Sequence, residues 1–205
     1  MFKNLLHFIV ILSLSLSIFT CSDQVNTKRN AKTSNEEGAL LAIIEIPAGT
    51  NKKLEYNKQT KSIKADTIRG GKVRIIDFLP YPGNYGYLPS TMMDKERGGD
   101  GDALDVLVLG ESQKTGTEMA IIPIAILLLS DGGEEDSKII AVPAKKELQV
   151  MKLKDFATFI TEYNAAQTII QEWFLNYKGF GKMEMMGWRD EKFATAYIEE
   201  WKIKE

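Results

Sequence analysis

The sequence predicts a mainly β domain that ends in α-helices, and three observations carry this prediction. Short segments with strand-like patterns run from Leu40 to about Val142, and turns rich in Gly, Asn and Pro separate them. Two segments with helical spacing follow in the last third of the chain. The 205 residues, 44% of them hydrophobic, suffice for one domain with a core. Short strands with regular turns favour a small barrel over a parallel α/β sheet.

Six segments are predicted to be strands. AIIEIP alternates apolar and polar residues and ends at a proline, whereas the apolar run DVLVL suits a buried strand. The predicted strands are Ala42–Pro47, Lys53–Tyr56, Lys72–Phe78, Asp105–Leu109, Met119–Leu129 and Lys138–Val142. Turns are predicted at Gly49–Asn51, Gly70–Gly71, Pro80–Gly86 and Asp131–Gly133.

Two helices are predicted near the C-terminus. Ala166–Lys178 carries apolar residues at helical spacing, and Gly179 follows as a stop signal. Its apolar positions are Ile169, Ile170, Trp173, Phe174 and Tyr177. The second helix, Glu191–Lys202, places Phe193, Tyr197, Ile198 and Trp201 on one side.

The N-terminus is typical of an export signal. After Lys3, the apolar run Phe8–Phe19 is too short to span a bilayer comfortably, and Cys21 follows it. This layout resembles a bacterial lipoprotein signal, in which the cysteine is lipidated, although Ile18 and Thr20 depart from the usual Leu and small residue. Cleavage that leaves a free cysteine is the main alternative, and an uncleaved anchor is another.

These observations divide the chain into three parts. Residues 1–21 are the predicted signal peptide with Cys21 as the lipid acceptor, residues 22–38 are a flexible polar tether, and residues 39–205 form the domain. The expected location is outside the cytoplasm, in the periplasm or attached to a membrane through the N-terminal lipid alone.

Composition narrows the possible chemistry. The one histidine, His7, and the one cysteine, Cys21, both lie in the leader. A zinc site of His and Cys, a Cys–His pair or a Ser–His–Asp triad is therefore excluded from the domain. Metal chemistry there would have to use carboxylates, which favours magnesium, manganese or calcium. The net charge of −2 gives no broad electrostatic footprint for nucleic acid.

The strongest local signal is the acidic segment GDGDALDVLVL. Asp100 and Asp102 would share a face of an extended chain, so a bend near Ala103 is needed for Asp105 to join them. Three converging carboxylates need cations, and hard divalent metals prefer oxygen ligands. The alternative is a solvated acidic turn that opens a strand. A calcium EF-hand does not fit, because Leu104 and Asp105 occupy its fifth and sixth positions.

Other charged and aromatic residues indicate a binding site only when they are considered together. Asp131, Asp136 and Lys138 would by themselves be an ordinary hairpin turn. Lys53 and Glu55 share a face of a predicted strand, and a helix ends at Tyr177-Lys178, where a cation is favourable. The remaining candidates are Glu45, Arg74 and Tyr85. Lysines, arginine and tyrosine hydroxyls beside metal-binding carboxylates would suit a small, highly charged anion.

The order of these motifs resembles the family I inorganic pyrophosphatases. It reads IEIPxGxxxKxEY, R, YPxNYGY, DGDxxDVLV, DxxxxDxK and a helical YK, across about residues 42–180. Ala103 stands where proline is the commonest family choice. The resemblance implies an OB-like five-stranded β-barrel with C-terminal helices, assembled as a homo-oligomer, either dimer or hexamer. It also implies magnesium-dependent hydrolysis of pyrophosphate to two phosphates, with several ions per site and manganese as an alternative.

The resemblance also implies a role for each matching residue. Asp100, Asp105 and Asp136 would bind the metal that activates water, and Asp105 would also hold a second activating metal. Asp131 and Asp136, with Glu55 nearby, would bind metals that arrive with substrate, and Glu45 would orient the water shell of the metals. Asp102 would be the general base. The phosphate ligands would be Lys53, Arg74, Tyr85, Lys138, Tyr177 and Lys178, with Arg69 as the alternative to Arg74.

Three other functions compete with this hypothesis. OB-type barrels often bind oligonucleotides, but a carboxylate cluster would repel a phosphate backbone without metals. A catalytically degenerate surface protein is possible in principle, yet each implied ligand is present. A different metal phosphohydrolase would act on nucleoside polyphosphates or polyphosphate. Rates on pyrophosphate and on a nucleoside triphosphate separate these hypotheses.

Overall fold

Nine strands and three α-helices make up residues 40–204, the residues that the computed structural model describes. The strands are β1 Leu40–Ile46, β2 Leu54–Asn57, β3 Ser62–Ala65, β4 Asn84–Tyr87, β5 Asp105–Val108, β6 Glu118–Asp131, β7 Glu134–Glu135, β8 Lys138–Pro143 and β9 Met183–Asp190. The helices are α1 Phe156–Glu162, α2 Asn164–Asn176 and α3 Glu191–Glu200, and two 3-10 turns lie at Lys95–Arg97 and Lys146–Leu148. The predicted signal peptide with Cys21 and the predicted tether 22–38 lie outside the described residues.

Five strands close into a ring. β1 pairs with β4, β4 with β5 and β8 with β6, all antiparallel, whereas β5 and β8 are parallel. β6 then returns to pair with β1, which closes the ring. The ring is consistent with an OB-like barrel, and helices follow in the C-terminal part, so the predicted fold class is confirmed. β2 and β3 form a separate two-stranded hairpin.

β6 is the longest strand and connects the barrel to its extension. Its first residues pair with β1, whereas Ala125–Asp131 pair with β9. The register with β8 shifts between Pro123 and Ala125. Proline has no N–H to donate, so an irregularity at this position is expected. The shift lies where the pairing of β6 with β9 begins, at Ala125.

Both faces of β5 are buried. Leu107 belongs to a hydrophobic cluster that includes Trp173 and Phe174 of α2, whereas Val106 belongs to a second cluster that includes Ile198 of α3. This agrees with the expectation of a buried strand from the apolar run DVLVL. Because β5 begins at Asp105, its buried residues fix the position of that carboxylate.

Two predicted local structures are wrong. Lys72–Phe78 is no strand: it forms isolated bridges through Val73 and Ile75, whose side chains are 39% and 50% exposed and have no sheet to cover them. Conversely, Asn84–Tyr87, predicted within and beside a turn, is the buried strand β4. It pairs with β1 because Gly86 lets the two backbones approach closely.

The helical predictions hold within a few residues at each end. α2 buries Ile170, Trp173 and Phe174, but Ile169 is 58% exposed and does not belong to its apolar face. α1, β3, β7 and β9 were not predicted. Within residues 40–204, no helix has the length and apolar character needed to cross a membrane.

Candidate active site

A pocket of about 270 Å³ brings together most of the residues singled out in the sequence. From the implied site it contains Glu45, Lys53, Glu55, Arg74, Tyr85, Asp100, Asp102, Asp105, Asp136, Tyr177 and Lys178. The two remaining residues of the implied site contact residues that line the pocket: Asp131 binds Lys178, and Lys138 binds Asp105. Residues that are more than 130 positions apart in the sequence therefore share one site.

The acidic loop, defined as residues 99–104, carries two of the carboxylates into the pocket. The chain bends at Gly101 and Asp102, next to the bend expected near Ala103. Gly101 has φ of +84°, which favours glycine. The Asp102 N–H donates to Asp100 Oδ1 at 2.7 Å. With Asp105 at the start of β5, the bend lets all three aspartates line one pocket.

Two lysines bridge three carboxylates of the site. Lys138, only 1% exposed, donates to Asp105 Oδ2 at 2.6 Å and also to Asp136. Lys178 donates to Asp131 at 2.6 Å and to Asp136 at 3.2 Å. Burial alone would raise the pKa of Asp136, but Lys138 and Lys178 outweigh it and lower that pKa. Asp136 is therefore held ionised.

Glu45 lines the pocket near the end of β1. It is 6% exposed, and its Oε1 accepts a hydrogen bond of 2.6 Å from the Tyr56 N–H. Burial, reinforced by the charge of Asp105, raises the pKa of Glu45 to about 8. Beside it, Lys53 forms an ion pair with Glu55 at 3.1 Å. Burial alone would lower the pKa of Lys53, but Asp105 and Glu55 outweigh it and raise that pKa.

Tyrosines form much of the remaining wall. Tyr85 is 4% exposed, and burial raises its pKa well above the ordinary value, so its hydroxyl stays a neutral donor. The Lys53 ammonium lies 5.5 Å from the centre of the Tyr85 ring. Tyr177 stacks on Trp173 with ring centres 4.6 Å apart. Packing within the hydrophobic core thus orients two hydroxyl groups for a polar pocket.

The arginine of the pocket is Arg74. It lines the pocket and forms an ion pair with Asp66 at 3.3 Å, whereas Arg69 lies in the exposed turn at Gly70 and does not line the pocket.

Tyr56, Lys58 and Tyr87 also line the pocket and were missed from the sequence. Tyr87 completes the tyrosine-rich motif, which could have indicated it. Lys58 offered no signal, because it reaches Gly101, which is 43 residues away in the chain.

The donor set of the pocket suits hard divalent cations. Its carboxylates supply only oxygen ligands, which magnesium and manganese accept. Within residues 40–204, no group of three or more acidic side chains is arranged to hold a metal ion, and Lys138 and Lys178 instead bridge Asp105, Asp131 and Asp136.

The fold and the pocket together define an OB-like barrel protein with a site of carboxylates, lysines and tyrosines. The family profile of inorganic pyrophosphatase matches residues 42–204. The inorganic pyrophosphatase of Synechocystis sp. is 32% identical over 168 residues, which cover 80% of this chain and 89% of that protein. That of Haloferax volcanii is 32% identical over 173 residues, covering 80% and 87%. The chain belongs to the inorganic pyrophosphatase family.

Solved structures agree with this assignment. The inorganic pyrophosphatase of Thermus thermophilus superposes with a TM-score of 0.71 at 27% identity, covering 84% of this chain and 95% of that one. A truncated vacuolar soluble pyrophosphatase of Trypanosoma cruzi, solved in complex with PPi, gives a TM-score of 0.73 at 27% identity and covers 85% and 72%.

Proposed function

We propose that this chain, an inorganic diphosphatase by family, hydrolyses pyrophosphate to two phosphates with magnesium, or manganese as an alternative. The observation that carries the proposal is the convergence of the family's motif residues on one polar pocket. The pocket is small, about 270 Å³, and it offers both carboxylates for metal ions and cations for phosphate oxygens.

The carboxylates hold the metal ions in this proposal. Asp100, Asp105, Asp131, Asp136 and Glu55 supply the ligands, and Glu45 orients the water around the ions. Magnesium, when bound, lowers the pKa of water and neutralises phosphate charge.

The cationic and phenolic side chains bind the phosphates. The ligands are Lys53, Arg74, Tyr85, Lys138, Tyr177 and Lys178. Lys138 and Lys178 contact carboxylates in the substrate-free site, so they exchange part of these contacts for phosphate oxygens when substrate binds. Their charge then stabilises the departing phosphate.

Asp102 accepts the proton of the attacking water. Its side chain is 64% exposed at the pocket, and its Oδ1 contacts Lys58 at 2.5 Å. Because Lys58 contacts Oδ1, the proposal assigns the proton to Oδ2, provided that the water lies within hydrogen-bond reach. No covalent intermediate is needed, which agrees with a domain that contains no His or Cys.

The decisive experiment measures phosphate release from magnesium pyrophosphate by residues 22–205. We expect strong release by the parent and a loss of about 100-fold or more in Asp102→Asn, as for removal of a general base. Asp77→Asn, at an exposed position outside the pocket lining, is the matched control and should retain activity. No release by the folded parent, with magnesium or manganese, would instead favour a catalytically degenerate surface protein. A faster rate on a nucleoside triphosphate would favour a different phosphohydrolase.

We propose that this activity lies outside the cytoplasm, on the basis of the N-terminal sequence. Residues 1–21 direct export, Cys21 accepts the lipid, and residues 22–38 link the lipid to the domain.

The domain assembles as a homo-oligomer, which sedimentation velocity of residues 22–205 would test. Nucleic acid is not a partner in this proposal, in keeping with the net charge of −2.

A further inference from the structure

We infer that Lys58 is a positioning residue that directs the Asp102 carboxylate into the pocket. The inference rests on the proposed function, in which Asp102 is the general base. Lys58 Nζ lies 2.5 Å from Asp102 Oδ1 and donates to the Gly101 carbonyl oxygen at 2.6 Å. One ammonium group therefore contacts both the side chain and the adjoining backbone of the acidic loop.

The backbone that carries Lys58 is fixed locally. Lys58 begins the loop of the β2–β3 hairpin, directly after Asn57, which pairs with Ser62. The Asn57 carboxamide oxygen accepts from the Thr60 N–H at 2.8 Å and lies 3.1 Å from the Thr60 hydroxyl. A local bond of this kind between side chain and backbone restricts the loop conformation. Lys58 thus extends from a defined turn rather than from an unconstrained loop.

The hairpin is in turn attached to the barrel. The Tyr56 N–H donates to Glu45 Oε1 at 2.6 Å, and the Lys53 N–H donates to the Arg74 carbonyl oxygen at 3.0 Å. Glu45 belongs to β1 of the barrel. Hydrogen bonds therefore attach the hairpin that carries Lys58 to the barrel and to the segment of Arg74.

The opposite side of the acidic loop is held by backbone contacts. The Gly101 N–H donates to the Met93 carbonyl oxygen at 2.7 Å, and the Met93 N–H donates to the Asp102 carbonyl oxygen at 2.7 Å. These bonds fix the chain, but they do not reach the Asp102 carboxylate. That side chain is 64% exposed, so packing does little to orient it. The contact with Lys58 supplies the missing constraint.

A kinetic comparison tests this role. An exposed ion pair stabilises the arrangement that it holds by up to about 1 kcal/mol. The same free energy added to the activation barrier lowers a rate about fivefold. We expect Lys58→Met to lower kcat about fivefold with KM changed less than twofold, because a misdirected base affects the chemical step. Lys58→Arg should restore most of the rate. Lys64→Met, an exposed site on the same hairpin, is the control for loss of charge and should match the parent. A parent-like kcat in Lys58→Met would overturn the inference.

A double-mutant cycle distinguishes positioning from a general structural effect. In an Asp102→Asn background, Lys58→Met should change kcat less than twofold, because the carboxylate that Lys58 directs is gone. An equal fivefold loss in both backgrounds would contradict the role.

Hydrogen exchange gives a readout that does not need activity. In the metal-free protein, Lys58→Met should speed amide exchange in a peptide that covers residues 99–104, whereas Lys64→Met should not. Unchanged exchange would overturn the inference. If the parent itself releases no phosphate, the proposed function fails, and the exchange result still decides whether Lys58 holds the acidic loop.

Discussion

Lys138 is a charged residue that is almost completely buried from solvent, with only 1% of its surface exposed. Burial alone would lower its pKa, but Asp105 and Asp136 outweigh that effect and raise it. The lysine is thus a built-in counterion for two carboxylates that would otherwise repel each other. In the proposed function it has a second task, because the same ammonium group binds a phosphate oxygen.

Replacing this lysine should expose its role as a counterion. In chelator, Lys138→Met should lower the free energy of unfolding by about 3 kcal/mol, because Asp105 loses its partner and Asp136 keeps only Lys178 in a partly buried site. Magnesium should reduce this deficit, because a cation replaces the lost charge. Urea denaturation with and without magnesium measures both effects, and the exposed Lys145→Met is the control. A metal-free variant as stable as the parent would contradict the prediction.

The raised pKa of Glu45 predicts how the stability of the protein depends on pH. Its pKa in the folded protein is about 8, against an ordinary value of 4.5. The folded state therefore favours the protonated form, so the contribution of Glu45 to stability is fully present below about pH 4.5 and is lost as the pH rises towards 8.

Glu45→Gln should weaken this pH dependence. Its carbonyl oxygen can still accept from the Tyr56 N–H, but it has no proton to lose. Between pH 5 and 9 in chelator, the fall in unfolding free energy should be smaller in the variant by a few kcal/mol at most. Urea titrations at several pH values measure the difference. Parallel curves for the parent and variant would disprove the assignment.

Local signals identified many pocket residues but not their connections. The run DGDALDV indicated Asp100, Asp102 and Asp105, because closely spaced carboxylates repel each other and supply the oxygen ligands that divalent cations prefer. Lys58 and Tyr56 were missed, because their contacts depend on how a hairpin packs against distant segments.

At the scale of elements, the pairing of β1 with β4 depends on Gly86. A Cβ atom built there would lie 1.9 Å from the Ile43 carbonyl oxygen. Gly86→Ala should therefore destabilise the protein by about 3 kcal/mol or more, because the backbone of β1 must shift. Thermal unfolding followed by circular dichroism measures the loss.

Gly132→Asn is the control for this substitution. Gly132 has φ of +59°, which asparagine tolerates, and nothing lies within 4 Å of a Cβ built there. The control should unfold near the parent temperature. A Gly86→Ala protein with the same unfolding temperature would show that the two strands can separate without cost.

The same close approach explains why β4 could not be predicted. YPGNYGY contains the residues of a turn, and sequence alone does not show that Gly86 meets another backbone. Lys72–Phe78 shows the converse error. Its alternation suits a strand, but Val73 and Ile75 remain exposed because no sheet covers them. A segment with an alternating apolar pattern forms a strand only where a neighbouring strand is available to pair with it.

At the scale of the whole molecule, the N-terminus predicts a lipid anchor. When the full chain is expressed in a bacterial host, it should incorporate labelled palmitate and enter the detergent phase of a Triton X-114 separation. Cys21→Ser should do neither, because the acceptor thiol is gone, whereas Ser22→Ala should behave like the parent. Equal partitioning of the parent and Cys21→Ser into the aqueous phase would favour plain cleavage.

The parallel pairing of β5 with β8 places Asp105 directly opposite Lys138, 33 residues further along the chain. A partly folded chain without this pairing contains every proposed ligand residue but not the site. Catalytic competence therefore requires this pairing, and activity should return during refolding no earlier than the β5–β8 contact forms. A chain exported in an extended state would be inert in transit and would become an enzyme only where its barrel closes.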